Sequence, residues 1–493
     1  MRKAHFSPGR VIIQKWMTPA LLTKSKSLRA HFASVCKLPR EGERYQSYIA
    51  ERNKFNRDKR EAKNIYYANL VNNYKNDAKK LWDIINAQTG KGGKDSGSEA
   101  LNVAGELISD PKIIANEFSN YFSNIGPQMK SKIPTSKKDY TQFLNMADSS
   151  LASMYLRPTT SPEVEKTILT LKNSKASGHD GITTKLLKAI SSSISIPLAS
   201  VINKSFVTGI FPSTLKTAIV TPVFKKDDKQ ILSNYRPISL LPILSKVFEK
   251  IFLSRLLAFF TLTKFFTSHQ YGFRKNHTTI DAVSKLVADT LMGFDKNNFT
   301  LAVLLDVSKA FDTLDHHILL HKLGRAGIRG AALSWLESYL SARTQMVSFR
   351  GTLSGQKQLC CGVPQGSILG PVLYLVYAND ISNGVQYSSI IQYADDTTLY
   401  LSGSSFEDVI SNVNHDLYDL TDWMKANKLA ISASKTQVIV FSKNSLHRTP
   451  NLPKLKIGED ILGYQDTARL LGIILDSGLT WKAHIDNVYF KDF

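Results

Sequence analysis

Cysteine is nearly missing: Cys36, Cys360 and Cys361 are the only three in 493 residues. A disulfide framework is thereby excluded, and neither the adjacent pair nor the distant third has the spacing of a four-ligand zinc site, so a reducing intracellular setting is expected. No run of about 18 apolar residues occurs, and the start, Met1-Arg2-Lys3-Ala4-His5, lacks the apolar core of a secretory leader, so neither a membrane span nor secretion is expected. Repeats at solenoid periods are absent. Acid is scarce as well: 41 Asp and Glu stand against 63 Lys and Arg, a net charge of +22. What is plentiful is apolar material, 43% of residues with 10% aromatic, enough for large cores in two or three domains. The basic excess calls for a polyanionic partner, a nucleic acid or an acidic membrane surface, and charge alone does not choose between them.

The excess is uneven. Residues 1–95 hold 21 Lys and Arg against 8 Asp and Glu, so 13 of the 22 surplus charges lie in the first fifth of the chain. From Glu41 to Gln88, Tyr45, Tyr48, Ile49, Phe55, Ile65, Tyr66, Leu70, Leu81, Trp82 and Ile85 recur among basic and amide residues in a helical pattern, read as two amphipathic helices. Thr89 to Ser98 then reads as a Gly/Ser linker and lacks the spacing of a phosphate-binding Walker loop. Residues 105–150 mix a helical pattern, Pro111 to Ile125, with a basic loop at Lys130 to Lys138. From about 160 short apolar strands alternate with helical stretches, the texture of an α+β or α/β domain. Thr217 to Val220 reads as a strand running into an exposed basic turn, Lys225 to Asp228. Leu301 to Leu305 is wholly apolar and ends at Asp306, whereas Ile390–Tyr393 and Thr397–Tyr400 flank an acidic turn.

If those strands are neighbours, Asp306 converges on Asp395 and Asp396. Carboxylates gathered in this way suit a pair of hard divalent cations that also take phosphate oxygens, the requirement of nucleotidyl transfer. Acids at strand ends and in turns are also ordinary surface features, so the weight falls on what surrounds them.

Asp306-Val-Ser-Lys-Ala-Phe-Asp312, Gly362-Val-Pro-Gln-Gly-Ser-Ile-Leu-Gly-Pro371 and Tyr393-Ala-Asp-Asp396, in this order and at these separations, resemble the three central polymerase motifs of reverse transcriptases. With Lys175-Ala-Ser-Gly-His-Asp-Gly-Ile182, Ser233-Asn-Tyr-Arg-Pro-Ile-Ser-Leu240, Gln270-Tyr-Gly-Phe-Arg274, Leu429-Ala-Ile-Ser-Ala-Ser-Lys-Thr436 and Leu470-Leu-Gly-Ile-Ile-Leu-Asp476, the chain is similar to the enzymes of non-LTR (LINE-type) retrotransposons of the jockey-like group over about 160–481. A weaker likeness covers 15–88, where Trp16-Met-Thr-Pro-Ala-Leu-Leu22 and the basic helices resemble the segment joining endonuclease to polymerase.

The resemblance implies RNA-directed DNA synthesis with an RNA template, a DNA primer or nicked target DNA, and dNTPs; two Mg²⁺ ions, with Mn²⁺ as a substitute; and a cytoplasmic and nuclear location. It implies metal ligation by Asp306 and Asp395, with Asp396 as the adjacent acid. Phe311 would lie under the incoming sugar and exclude a 2′-hydroxyl, Lys225 and Arg236 would grip the triphosphate, with Lys226 competing for the role of Lys225, Gln365 and Gly366 would line nucleotide and template, and Lys435 would protonate the departing pyrophosphate. Arg343 and Gln345 are candidates for the primer–template backbone, though a solvated loop accounts for them equally. Asp312, Asp315, His316 and His317 are read as capping or surface residues, Trp335 and Tyr339 as core, and Cys360-Cys361 as the end of a strand.

The implied fold is α+β, a right-hand polymerase with a basic α-helical N-terminal extension: 1–95 the extension, 96–159 a linker and helical connector, 160–300 fingers, 301–475 palm, and 476–493 the start of a truncated thumb. The palm is expected as an antiparallel sheet with helices on one face. Because nothing here resembles the expected preceding endonuclease and 12 residues follow Trp481, the chain is expected to be a fragment or degraded copy of a longer reading frame. The rival is a catalytically inactive RNA-binding remnant. A group II intron maturase or telomerase relative fits the jockey-like texture of Leu301 to Pro371 less well.

Overall fold

The computed structural model describes residues 16–75 except 37, residues 81, 82 and 84, 100–144 except 104, 152–443 except 175, and 453–489. The linker expected at Thr89–Ser98 lies outside the described residues. The chain divides into two compact units, 1–96 and 97–493.

In the first unit, Pro19 opens helix α1 (Pro19–Val35) and the Thr18 side chain accepts from Leu21 N, a start suited to a residue that has no N–H to satisfy. Helix α2 (Glu43–Asn73) holds 31 residues with neither Gly nor Pro to break it. Tyr48 packs on His31 and Phe32 with ring centroids 5.8 and 5.3 Å away, and Lys24 meets Asp58 at 2.7 Å. Within Glu41–Gln88, where a helix pair is expected, one long helix fills Glu43–Asn73 and the described residues 81, 82 and 84 are helical as well; 76–80, 83 and 85–88 lie outside the described residues. Only Tyr48 and Phe55 of α2 are buried; Tyr45, Ile49, Tyr66, Tyr67 and Leu70 are half-buried, and its basic side chains face solvent.

The second unit opens with a small hairpin, β1 (Leu101–Val103) and β2 (Glu106–Ile108), followed by α3 (Pro111–Lys132), whose N-cap Asp110 accepts from Lys112 N and Ile113 N. Helices α4 (Ser161–Leu169), α5 (Thr184–Ala189) and α6 (Ser191–Thr208) precede the hairpin β3 (Thr217–Phe224) and β4 (Tyr235–Leu240), and α7 (Ile243–Leu262) follows it. Helix α8 (Thr279–Asp295) begins with a reciprocal capping box between Thr278 and Asp281. It leads into β5 (Phe299–Leu305), then α9 (Ala310–Thr313), α10 (His316–Arg325) and α11 (Ala331–Leu340). Strands β6 (Arg343–Phe349), β7 (Thr352–Leu353) and β8 (Lys357–Leu359) precede α12 (Gly370–Tyr377). After β9 (Ser389–Tyr393) and β10 (Asp396–Gly403) come α13 (Phe406–Ala426), β11 (Gln437–Phe441), the hairpins β12 (Leu455–Ile457) with β13 (Asp460–Leu462) and β14 (Thr467–Leu470) with β15 (Ile473–Asp476), and α14 (Lys482–Tyr489).

Two larger sheets organise this unit. One is antiparallel, in the order β11-β5-β10-β9. Its central strand β5 is buried at all seven positions. Leu301, Val303 and Leu305 join the main core with Leu399 and Val438, and Ala302 and Leu304 join a second core with Ala282, Val283 and Leu286 of α8. The sheet is thus covered on both faces, not one, as a wholly apolar strand requires. The other sheet runs β4-β3-β6-β7 with β8 on β6, and β6 lies parallel to β3. Residues 344–347 of β6 therefore pair with the earlier hairpin across the boundary expected at 300/301.

Candidate active site

The acidic turn is fixed by register. Thr397 pairs with Leu305, which sets Asp306 one residue beyond β5 beside the start of β10, while Asp396 pairs with Tyr393 across the turn. Asp306, Asp395 and Asp396 are brought together as the apolar run and flanking strands suggested. Ala394 takes φ 58°, a left-handed conformation that costs an L-residue roughly 1–2 kcal/mol. A buried side chain holds it there: Gln270 Oε1 accepts from Ala394 N at 3.0 Å and from Gly272 N at 2.7 Å, and Gln270 Nε2 donates to Ala394 O at 3.4 Å. Gly272 is obligatory, because a Cβ there would lie 2.2 Å from Ala394 N. The Gln-Tyr-Gly segment recognised by resemblance alone is thus the brace of the acidic turn.

Burial raises the Asp395 carboxyl above its usual range, and the neighbouring charge of Asp306 adds to the shift. Asp396 is raised by partial burial and by both other acids. Such mutual repulsion is relieved by bound cations, and hard divalent ions suit an all-carboxylate donor set. Among the described residues no cluster of three or more His, Cys, Asp or Glu is arranged to cage a metal alone, so phosphate oxygens or water would have to complete any shell.

Cations face the acids. Ser432 N donates to Asp306 O at 2.9 Å and Ser308 N to Ala430 O at 2.8 Å, tethering the Leu429–Thr436 segment and setting Lys435 Nζ 3.6 Å from Asp306 Oδ1. Arg236 stands opposite Val223 in the β3–β4 hairpin. Lys225 follows β3, and its ammonium is depressed by burial and by the charges of Arg236 and Lys435 while Asp306 pulls it up. Lys226 lies 3.9 Å from its exposed neighbour Asp227. Lys309, given no role above, is depressed by burial and by Lys225, Lys435 and Arg236, and attracted by Asp312. Phe311 leans on Tyr374 with ring centroids 5.1 Å apart and remains partly accessible.

The Gly362–Gly370 loop is tied at many points. Val363 N donates to Phe311 O at 2.9 Å, Ser239 N donates to Gln365 O at 2.8 Å, and Gly366 at φ 120° lies so near β4 that a Cβ would come 2.7 Å from Ser239 O. The fully buried Glu249 of α7 accepts from Ile368 N at 2.7 Å and Leu369 N at 3.2 Å, and Ser245 Oγ donates to its other oxygen. Nothing in the local sequence marks Glu249, an acid in mid-helix; only tertiary structure makes it a loop anchor.

Several expectations are revised. Arg343 and Gln345 are 2% and 4% exposed, with the Arg343 guanidinium over the Tyr339 ring at 4.8 Å and its Nη1 donating to Tyr339 O. They face inward on β6, enclosed and not on a solvated loop. Asp312 is neither cap nor surface residue: both its oxygens accept from Gln365 Nε2 at 2.9 Å. His316 is also inward, its Nε2 2.8 Å from Gly362 O. Asp315 does cap α10, accepting from His317 N and Ile318 N, and Lys130 and Lys428 both reach it. Cys360 and Cys361 fall just past β8, outside a strand. Trp335 and Tyr339 are core.

An acidic hairpin turn thus lies beside a central strand, with lysine and arginine side chains facing it. The chain belongs to the reverse transcriptase (RNA-dependent DNA polymerase) family, whose model matches residues 223–475, a match that implies a right-hand polymerase fold, and within it to the non-LTR, LINE-type group. It is 30% identical over 332 residues to a probable RNA-directed DNA polymerase from transposon X-element of Drosophila melanogaster, covering 66% of this chain and 36% of that protein. A probable RNA-directed DNA polymerase from transposon BS of the same organism is 29% identical over 390 residues, 77% of this chain and 42% of the relative. The RNA-directed DNA polymerase from its mobile element jockey is 30% identical over 344 residues, 68% and 37% respectively. The aligned part thus spans 36–42% of these relatives.

Proposed function

We propose that the chain is the polymerase part of a non-LTR retrotransposon protein and extends a DNA primer with dNTPs along an RNA template. The convergence of Asp306 and Asp395 across paired strands carries the reading. Asp306 and Asp395 would hold two divalent cations, Mg²⁺ foremost, with Asp396 beside them; when bound, these ions favour the primer 3′-alkoxide and offset charge on the triphosphate. Lys225 and Arg236, whose charges act on Asp395, would grip the triphosphate, joined by Lys309 beside them. Phe311 would stand under the sugar, and Lys435 would give its proton to the departing pyrophosphate. The hairpin β3–β4 and its helices would serve as fingers, the β11-β5-β10-β9 sheet as palm, residues 476–493 as the beginning of a thumb, and residues 1–95 as an RNA-holding arm acting in cytoplasm and nucleus. That basic arm also favours a second reading, RNA retention without catalysis. Primer extension on poly(rA)/oligo(dT), with filter binding of the same RNA, separates the two: incorporation lost in Asp306→Asn supports the enzyme, and binding without incorporation by the parent supports the remnant.

A further inference from the structure

Two glutamines, one bracing the acidic turn and one in the Gly362–Gly370 loop, are held by different means. The Gln270 amide is consumed by backbone groups, whereas the Gln365 amide is met by one side chain, Asp312. Gln365 Nε2 stands 2.9 Å from each Asp312 oxygen. An ionised carboxylate only accepts hydrogen bonds, so the amide must turn its NH₂ group towards Asp312, which directs Oε1 the other way. The backbone leaves little freedom for any other arrangement: Gln365 O accepts from Ser239 N at 2.8 Å, Val363 N is bound to Phe311 O, and a Cβ on Gly362 would lie 2.7 Å from Asp312 O. The pair shares a crevice of about 40 Å³ with Ser239 and the orphaned, buried Gln345 Nε2.

We propose that Asp312 is a positioning residue that fixes the polarity of the Gln365 amide, so that this loop presents a hydrogen-bond acceptor, not a donor, to the incoming deoxynucleotide. This rests on the polymerase reading given above. It gives the last residue of the Asp306–Asp312 segment a task that neither capping nor solvation supplies. It also explains why a carboxylate is kept in a place that burial penalises: an asparagine is isosteric, but it offers both donor and acceptor and would satisfy either orientation of Gln365. Lys309 on the same turn, Tyr121 of α3 and Gln365 are the polar groups that act on or respond to the Asp312 charge.

A double-mutant cycle in the full chain tests this, with Mg²⁺-dATP affinity by titration and, on poly(rU)/oligo(dA), kcat and KM for dATP as the readouts. Asp312→Asn and Gln365→Ala are each expected to weaken dNTP affinity by about 3–10-fold with kcat changed less, and the double variant is expected to resemble Gln365→Ala alone, since one substitution acts through the other. Thermal melting reports folding separately; Asp312→Asn removes a half-buried charge and should not lower the midpoint. Fold-changes that multiply in the double variant, or dNTP affinity unaltered in Asp312→Asn, overturn the inference. A parent that incorporates while Asp312→Asn matches it refutes the positioning role only. A parent that neither binds dNTP nor incorporates refutes the polymerase reading, and the inference falls with it.

Discussion

Gln270 shows how a residue without chemistry of its own can govern a site. Its amide braces the left-handed Ala394 through hydrogen bonds to both N and O, 2% exposed and out of reach of any substrate. Gln270→Leu removes those bonds while keeping volume, and the Asp395 carboxylate is expected to shift enough to cut kcat on the order of 10²-fold and raise the Mg²⁺ requirement, with dNTP KM little changed. Metal titration of the variant checks this. Asp312 adds a pH dependence. Burial pushes its carboxyl up to about 6, opposed by the Gln365 bond and Lys309. A raised acid stabilises the fold fully below its unfolded value near 3.8, and that contribution is lost as pH rises through about 6. Asp312→Asn does not titrate, so its stability relative to the parent should increase between pH 4 and 7, by at most about 3 kcal/mol; denaturant melts at both ends of that range decide it. Asp306 and Asp395 were legible in sequence because an apolar run and a flanked turn mark their places. Glu249 was not, and of Gln270 only the motif was and not its bracing role, since their partners are 119 and 124 residues away.

At the level of elements, β6 shows where pattern reading fails. Alternation normally puts apolar side chains inward, yet on β6 Arg343 and Gln345 share the buried face with Val347 and Phe349. Their polarity suggested a nucleic-acid contact, whereas pairing with β3 on one side and β8 on the other encloses them. Arg343→Ala is expected to cost about 2–3 kcal/mol through lost packing on Tyr339 and an emptied buried site. The salt dependence of RNA binding should stay at the parental slope; a slope reduced by about 1 would restore the backbone-contact role. The length of α2 has a different source. Apolar periodicity locates helices that bury a stripe, and α2 buries only Tyr48 and Phe55, so its length rests on uninterrupted helix-forming residues.

Across the whole molecule, charge and chemistry fall on separate units. Residues 1–95 carry 13 of the 22 surplus positive charges, while the acids and their facing cations all lie in the second unit, 97–493. Neutralising Lys54, Arg57, Arg60 and Lys63 of α2 to Gln is expected to lower the salt slope of RNA binding by roughly 0.7 for each phosphate that a side chain no longer neutralises, leaving single-nucleotide incorporation at saturating template intact. A fall in incorporation with unchanged binding would contradict that division of labour. Fold class and the order of the motifs were readable because they lie in contiguous sequence; the covering of both sheet faces and the pairing of β6 with β3 were not, because they depend on the packing of distant segments. The central claim is that Asp306 and Asp395 form one nucleotidyl-transfer site. Incorporation of dTTP on poly(rA)/oligo(dT) by the parent, Asp306→Asn and Asp395→Asn, each confirmed folded by melting, tests it most directly: incorporation by the parent and its loss in both variants is expected, and primer extension by either variant at the parental rate would contradict it.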